Sequence, residues 1–270
     1  MNFLILGLLA ILSVSSQAAQ PQQAVVIVPV ADVWSRPIAT GEKPADELRE
    51  TQVLLGEKVL IHESSGTWAL IEAIEQPEFT HHNRWEGYPG WVLANAVKPT
   101  HFSAESKKTI GRPYLQESDK SLEAPGLIHL EHIIPDDILT FSKKTIGTPY
   151  LWGGLDVDRG LDCSGLVHLA YRLQGIEIPR DSFEQWMKAK PLKRSLLNPA
   201  DLIFSAKAEN PKKITHVALY AGDGWIIEAP QMGMAVRKVS FKEKYGKELK
   251  DVESGDHVGD RYIYFGSFLQ

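Results

Sequence analysis

One cysteine, Cys163, stands in a chain of 270 residues. A lone thiol is either a small buried hydrophobe or a nucleophile, and its neighbours decide between them. Gly147-Thr148-Pro149-Tyr150-Leu151-Trp152-Gly153-Gly154 leads into Leu161-Asp162-Cys163-Ser164-Gly165. From Cys163 onward Leu166, Val167, Ala170 and Leu173 share one helical face, with Gly175 just past the end. Cys163 therefore opens a helix and precedes its apolar face. Unpaired N–H groups and the helix dipole at that position are expected to lower the thiol pKa. The same N–H groups can face an oxyanion once the thiolate attacks a carbonyl.

A thiolate nucleophile needs a base, and His216 is the best placed of nine histidines. It lies in Ile214-Thr215-His216-Val217-Ala218-Leu219-Tyr220-Ala221, followed by Gly222-Asp223-Gly224 and Trp225-Ile226-Ile227-Glu228-Ala229. These two runs read as a hairpin with a three-residue loop at 222–224 and Ala221 opposite Trp225. One face then carries Val217, Leu219, Ala221, Trp225, Ile227 and Ala229 and must be core. The other carries His216, Ala218, Tyr220, Ile226 and Glu228, with His216 and Glu228 as diagonal neighbours. That gives a base and its orienter. A two-residue loop would place them on opposite faces.

The elements that position these groups fall into two regions. Short β-rich runs at Val25–Val28, Val53–Leu55, Val59–Ile61 and Trp68–Ile71, closing on Gly87-Tyr88-Pro89-Gly90-Trp91-Val92, indicate a small barrel over residues 24–98. Residues 99–133 read as a linker containing Pro99, Pro113 and Pro125. Lys107–Leu115 there is echoed nearly verbatim by Lys143–Leu151, but the first copy lacks the chemical residues that follow the second. From 134 to 270 the pattern is helices first, then strands at 201–205, 214–221, 225–229 and 261–265. The first helix starts at Pro135 and ends near Gly147. Helices followed by a sheet indicate α+β.

Composition narrows the function. The hydrophobic fraction is 43% and the net charge -5, so the chain is globular and lacks the basic field of a nucleic-acid binder. Phe3–Val14 is too short an apolar run to span a bilayer. With the small residues after it, it reads as a signal peptide over 1–19, cleaved near Ala18 or Ala19. An exported protein without membrane insertion is expected, periplasmic or extracellular.

The Tyr-x-Trp-Gly-Gly and Asp-Cys-Ser-Gly blocks, with the later His-Val-Ala-Leu-Tyr and Ile-Glu-Ala, resemble the NlpC-type cell-wall cysteine peptidases over residues 134–270. The Gly-Trp-Val ending of 24–98 resembles the bacterial SH3-like domains attached to such enzymes. The resemblance implies a papain-like α+β domain, no cofactor, and endopeptidase action on peptidoglycan stem peptides. It carries the nucleophile onto Cys163 and the base onto His216. The family's third polar residue, commonly His, falls at Glu228. Arg180-Asp181-Ser182 matches a subset that cuts between D-Glu and the diamino acid (meso-diaminopimelate or Lys) and requires a free N-terminal L-Ala. Asp181 is then the partner of the ammonium, with Ser182 beside it. A Tyr and an acidic residue of the SH3-like domain complete that pocket, and Tyr88 and Glu50 are the candidates. Tyr150, Asp162 and Ser164 line the same site.

Plainer readings stand beside these. Glu228 alone is a surface strand carboxylate, and Asp181 before Ser182 suits a helix N-cap. His81-His82 lacks a spaced third ligand for a metal. Asp156, Asp158 and Asp162 lack the terminal Glu of a calcium loop. A thiol amidase or acyltransferase, a general wall-remodelling endopeptidase on glycan-linked stems, and an idle wall-binding protein are the competing functions. Intact Cys163 and His216 argue against the last.

Overall fold

Alternating burial along short strands makes the N-terminal region one antiparallel sheet. The computed structural model describes residues 20–102 and 135–269. The leader at 1–19, the first copy of the echo and most of the linker lie outside them. The strands are β1 (Gln22–Val26), β2 (Val30–Trp34), β3 (Arg49–Leu54), β4 (Lys58–Ser65), β5 (Trp68–Phe79), β6 (Trp85–Leu93) and β7 (Val97–Pro99). Their order is β3-β2-β6-β5-β4-β1-β7. Val33, Val53, Val59, Ile71 and Val92 form its apolar cluster. β2 went unread in the sequence because Pro29 and Pro37 bracket so short a run. β5 carries an irregularity between Ala73 and Pro77, opposite Tyr88 and Gly87. Beyond it the Pro77 carbonyl accepts a hydrogen bond from the Arg180 N–H at 3.1 Å. The bulge thus carries one end of the sheet onto the C-terminal region.

That region begins with α1 (Pro135–Lys144), the small ladder β8 (Leu155–Asp156) with β9 (Gly160–Leu161), α2 (Cys163–Arg172) and α3 (Ser182–Lys188). A second sheet follows. Its strands are β10 (Lys190–Pro191), β11 (Leu202–Lys207), β12 (Ile214–Gly222), β13 (Trp225–Glu228), β14 (Arg237–Ser240), β15 (Asp256–Val258) and β16 (Arg261–Ser267), with α4 (Phe241–Tyr245) after β14. The path is β10-β16-β11-β12-β13-β14, with β15 on β16. On one face Ile138 of α1 and Leu166 and Leu169 of α2 pack on Val217, Leu219 and Ile227. On the other, Phe241 covers Ile203, Ala218 and Ile226. A sheet covered on both faces after a helical start is the α+β arrangement expected.

The hairpin loop differs from its reading. Asp223 and Gly224 alone form the turn, at φ 50° and 76°, and Gly222 faces Trp225. Two positive φ values make this the primed turn that suits the twist of a hairpin. The register shifts between Tyr220 and Gly222, so Ala221 bulges. Leu219 still faces Ile227 and Tyr220 still faces Ile226. The bulge restores the alternation that a two-residue loop would have inverted. Trp225, expected in the core, instead lies at the turn end of the strand: it is 40% exposed, its ring 4.8 Å from the Lys238 ammonium.

Candidate active site

Asp162 fixes the start of α2, its side chain accepting from the Gly165 N–H at 2.6 Å. Gly165 has no room for a side chain, because a Cβ there would collide with the Gly154 carbonyl oxygen. The first turn of α2 thus rests directly on the Trp-Gly-Gly loop and presents the Cys163 thiol. Backbone groups of Ser164 and Val217 lie close enough to the sulfur to favour its negative form. The second of these comes from β12, so strand and helix meet at the thiol.

The expectation of a lowered thiol pKa is overturned. Cys163 keeps part of its surface open, yet burial, then the Asp162 carboxylate, pushes its thiol up to about 12. The backbone groups of Val217 and Ser164 and the Arg180 charge oppose this and lose. Two acceptor-side effects missing from the sequence argument, desolvation and the capping carboxylate, outweigh the helix terminus.

His216 is 7% exposed and sits where β12 is irregular against β11: Ser205 faces His216, but Ala206 faces Ile214. Such a bulge re-aims the side chain beside it. His216 Nε2 lies 2.7 Å from Glu228 Oε2. A carboxylate only accepts, so Nε2 carries the proton and Nδ1 keeps the lone pair. Burial lowers the pKa of His216, against the hydrogen bond to Glu228. The resting pair is therefore neutral thiol and neutral imidazole.

Glu228 is fully buried and triply held. Arg237 on β14, directly across the ladder, places Nε and a terminal nitrogen on Oε1 at 3.1 and 2.9 Å. Lys244 of α4 pairs with Oε2, alongside His216. Burial alone would raise this carboxyl, but the His216 bond and the Lys244 charge hold it at about 2. The surface-carboxylate reading therefore fails. Sequence reasoning missed both cations. The Glu228–Arg237 cross-strand charge pair was a usable signal, whereas Lys244 in Phe241-Lys242-Glu243-Lys244-Tyr245 gives none.

Arg180, wholly buried, ties the regions together. Its two terminal nitrogens bond Asp162 at 3.0 and 2.8 Å, one also reaches Ser164 Oγ at 3.0 Å, and Nε donates to Thr51 Oγ1 of β3 at 2.8 Å. Asp162 and Ser164 are thus buried, their side chains taken up by Arg180. Tyr150 lies close enough to Cys163 and Asp162 to feel both, and its hydroxyl, pushed up by burial, stays protonated.

Asp181 occupies the N-cap position of α3 but makes no capping bond. Its Oδ2 accepts instead from the Tyr88 hydroxyl of β6 at 3.0 Å. Glu50 of β3 is within hydrogen-bonding reach of the same hydroxyl, and burial raises its carboxyl. Glu78 on β5 joins them: burial, then Asp181, Glu184 and Glu50, pushes it up to about 8. Tyr88, Glu50 and Asp181 are thus brought together, with Glu78 and Glu184 unforeseen. Ser182 opens α3 without a side-chain bond to any of these groups. A separate cleft of about 410 Å³, lined by Arg194, Tyr220, Asp223 and Glu248, lies at the turn end of β12, away from His216.

Comparison with known proteins bears on this site. The NlpC/P60 family model matches residues 147–252, which span Cys163, Asp181, His216 and Glu228. A gamma-D-glutamyl-L-lysine dipeptidyl-peptidase of Bacillus cereus is 30% identical over 253 residues, covering 75% of this chain and 74% of that protein. The chain belongs to the NlpC/P60 family. A Bacillus subtilis protein of the same name is 27% identical over 243 residues, 76% of this chain and 80% of the relative. The crystal structure of an NlpC/P60 family protein from Bacillus cereus superposes with a TM-score of 0.68 at 22% identity, over 92% of this chain and all of that one. The C-terminal region is accordingly the papain-like α+β domain of NlpC/P60 proteins, here preceded by an all-β unit.

Proposed function

We propose that this chain is a cysteine endopeptidase of peptidoglycan that cleaves the γ-D-Glu to diamino acid bond of stem peptides bearing a free N-terminal L-Ala. Relatives named for the γ-D-glutamyl-L-lysine bond support the bond. The free terminus rests on one observation: Asp181 leaves the cap of α3 and meets Tyr88 and Glu50 of the other region. An ammonium suits an end walled by carboxylates, and an acetylated or glycan-linked terminus does not.

In this mechanism the Cys163 proton passes to His216 Nδ1 as the sulfur attacks the γ-carbonyl carbon. The tetrahedral oxyanion forms beside the Cys163 N–H that opens α2. The C–N bond then breaks, and the amine of the diamino acid leaves with the proton from the imidazolium. Water attacks the thioester, giving its proton to His216. Collapse releases the γ-carboxyl of the dipeptide and restores the thiol. Glu228 keeps Nε2 protonated throughout.

We further read the N-terminal unit as an SH3-like domain that forms a wall of the pocket, and residues 1–19 as a leader for export. No helix among the described residues is long and apolar enough to cross a membrane. The test compares Ala-γ-D-Glu-diaminopimelate with its N-acetylated form and with intact sacculi, products being weighed by mass spectrometry. Cleavage of the free peptide at least a hundredfold faster is expected. Equal rates on free and acetylated peptide would refute the requirement for a terminal amine.

A further inference from the structure

Glu228 has more cations than it needs. It is a single negative charge, and Arg237 already neutralises it through two bonds to Oε1. Lys244 then adds a second positive charge on Oε2, with its Nζ 3.1 Å from His216 Nε2. The Lys244 side chain is only 16% exposed, and burial lowers its pKa against the pull of Glu228. Desolvating a lysine that a carboxylate does not require is costly, so its placement invites another explanation.

The platform that holds it is fixed at both ends. Ser240 Oγ accepts from the Glu243 N–H at 3.1 Å, Phe241 is buried, and Gly246 ends the turn at φ 78°. The charges acting on His216 are Glu228 from β13, Lys244 from α4 and Arg261 from β16, and Lys244 and Tyr245 of α4 also lie near enough to Cys163 of α2 to interact with it. Arg261 is drawn off toward Thr215 Oγ1 at 3.3 Å and Asp260. Lys244 is the cation in contact. Its charge opposes a proton arriving on the imidazole and favours a negative sulfur, because Lys244 also feels the Cys163 thiolate.

We propose that Lys244 is a positioning residue of the reaction, holding Glu228 against His216 Nε2 and biasing the Cys163–His216 pair toward thiolate beside neutral imidazole. Lys244 touches no substrate. Its charge makes the imidazolium formed during attack a stronger acid toward the departing amine, while Glu228, gripped from both sides, keeps the ring in the tautomer whose Nδ1 is free. This inference rests on Cys163 and His216 being the reacting pair. It does not depend on which stem peptide is cut.

The test uses the full chain and its Lys244→Met and Lys244→Arg variants. Iodoacetamide alkylation of Cys163 against pH reads the thiol, and 15N shifts of the His216 ring read the imidazole, both without any peptide. In Lys244→Met the His216 titration should move to higher pH by about one unit, and the rising alkylation curve of Cys163 should move with it, read as about a tenfold slower rate at a fixed alkaline pH. On a cleaved peptide both limbs of the kcat/KM profile should move with them, and Lys244→Arg should restore the wild-type positions. Unmoved titrations in a Met variant with wild-type circular dichroism overturn the proposal, as does an equal loss of rate at every pH. Should Lys244→Met fail to fold, Lys244→Gln takes its place, and the same two titrations decide. If the peptide reading fails instead, no tested stem is cut while the titrations still shift, so the two failures are distinct.

Discussion

The Tyr88 hydroxyl donates to Asp181 Oδ2 at 3.0 Å across ninety-three residues of chain, and this bond joins the all-β unit to the start of α3. Tyr88→Phe removes the donor and leaves the carboxylate. It should raise KM for a free-amine peptide about tenfold while kcat changes little, since a hydrogen bond to a charged group contributes about 1.5 kcal/mol. Asp181→Asn should lower kcat/KM for the same peptide about a hundredfold and leave the acetylated peptide unchanged. Steady-state kinetics on the two peptides check both. Equal effects on the two would return Asp181 to a structural role.

Cys163→Ala should abolish turnover without loss of fold, and Glu228 should prove more than a helper to the histidine. Glu228→Gln leaves Arg237 and Lys244 without their carboxylate, and about 2–3 kcal/mol of stability should go with it. Gln retains an acceptor for the His216 N–H, so it should keep more activity than Glu228→Ala. Denaturant unfolding and rate measured on the same preparations separate the two effects.

The cluster of Glu78, Asp181, Glu50 and Glu184 predicts a pH effect of definite sign. Glu78 titrates at about 8 in the fold, above its ordinary value of 4.5. Between those pH values the folded chain holds a proton that the unfolded chain has released, so stability falls as pH rises through this window. Glu78→Gln should therefore raise the melting temperature at pH 8 and leave it unchanged at pH 4. Because Glu78 is only half buried, the gain is discounted to about 1 kcal/mol. Thermal melts at the two pH values decide it, and a gain at pH 4 would contradict the assignment.

Arg172 at the end of α2 meets Glu57 of the turn before β4 at 2.5 Å and Glu75 of β5 at 2.7 Å, Arg172 and Glu57 being buried and Glu75 partly so. Arg172→Met strands two carboxylates between the regions and should cost about 3–5 kcal/mol. A single unfolding transition in the wild type should split in two, since the damage falls on the contact and spares both cores. Intrinsic tryptophan fluorescence and far-ultraviolet dichroism, followed together in urea, would show this as transitions that no longer coincide.

What could be read from sequence divides by range. The start of α2 and the face shared by His216 and Glu228 follow from local periods, 3.6 and 2, and the site brings those residues together. The loop of the hairpin was misjudged by one residue, and the Ala221 bulge absorbed the difference. Trp225 shares the face of buried Ile227 but lies beside the turn, where alternation alone does not bring burial. The thiol went the opposite way from its expected shift because burial and Asp162 act through the folded surroundings. Arg180 was named only through its motif and Lys244 not at all, since both reach their partners through tertiary pairing, whereas Arg237 lies directly across the ladder from Glu228 and was open to a cross-strand reading. Tyr88 and Glu50 came from resemblance alone, and no spacing rule links them to Asp181.

The loop that carries Trp152-Gly153-Gly154 does not complete its own hydrogen bonds. Gln52 Oε1 of β3 accepts the Leu155 and Asp156 N–H groups at 2.8 and 3.2 Å, and Arg49 donates to the Trp152 carbonyl at 3.0 Å. Gly153, at φ 69°, lies so near the Arg49 carbonyl that a Cβ would come within 2.9 Å. The reacting half of the molecule therefore borrows backbone partners from the other half. Recombination that swaps one β unit for another must deliver Arg49 and Gln52 in register or leave buried amides without partners. Exchange of either half alone has to preserve the bonds that Arg49 and Gln52 make to this loop.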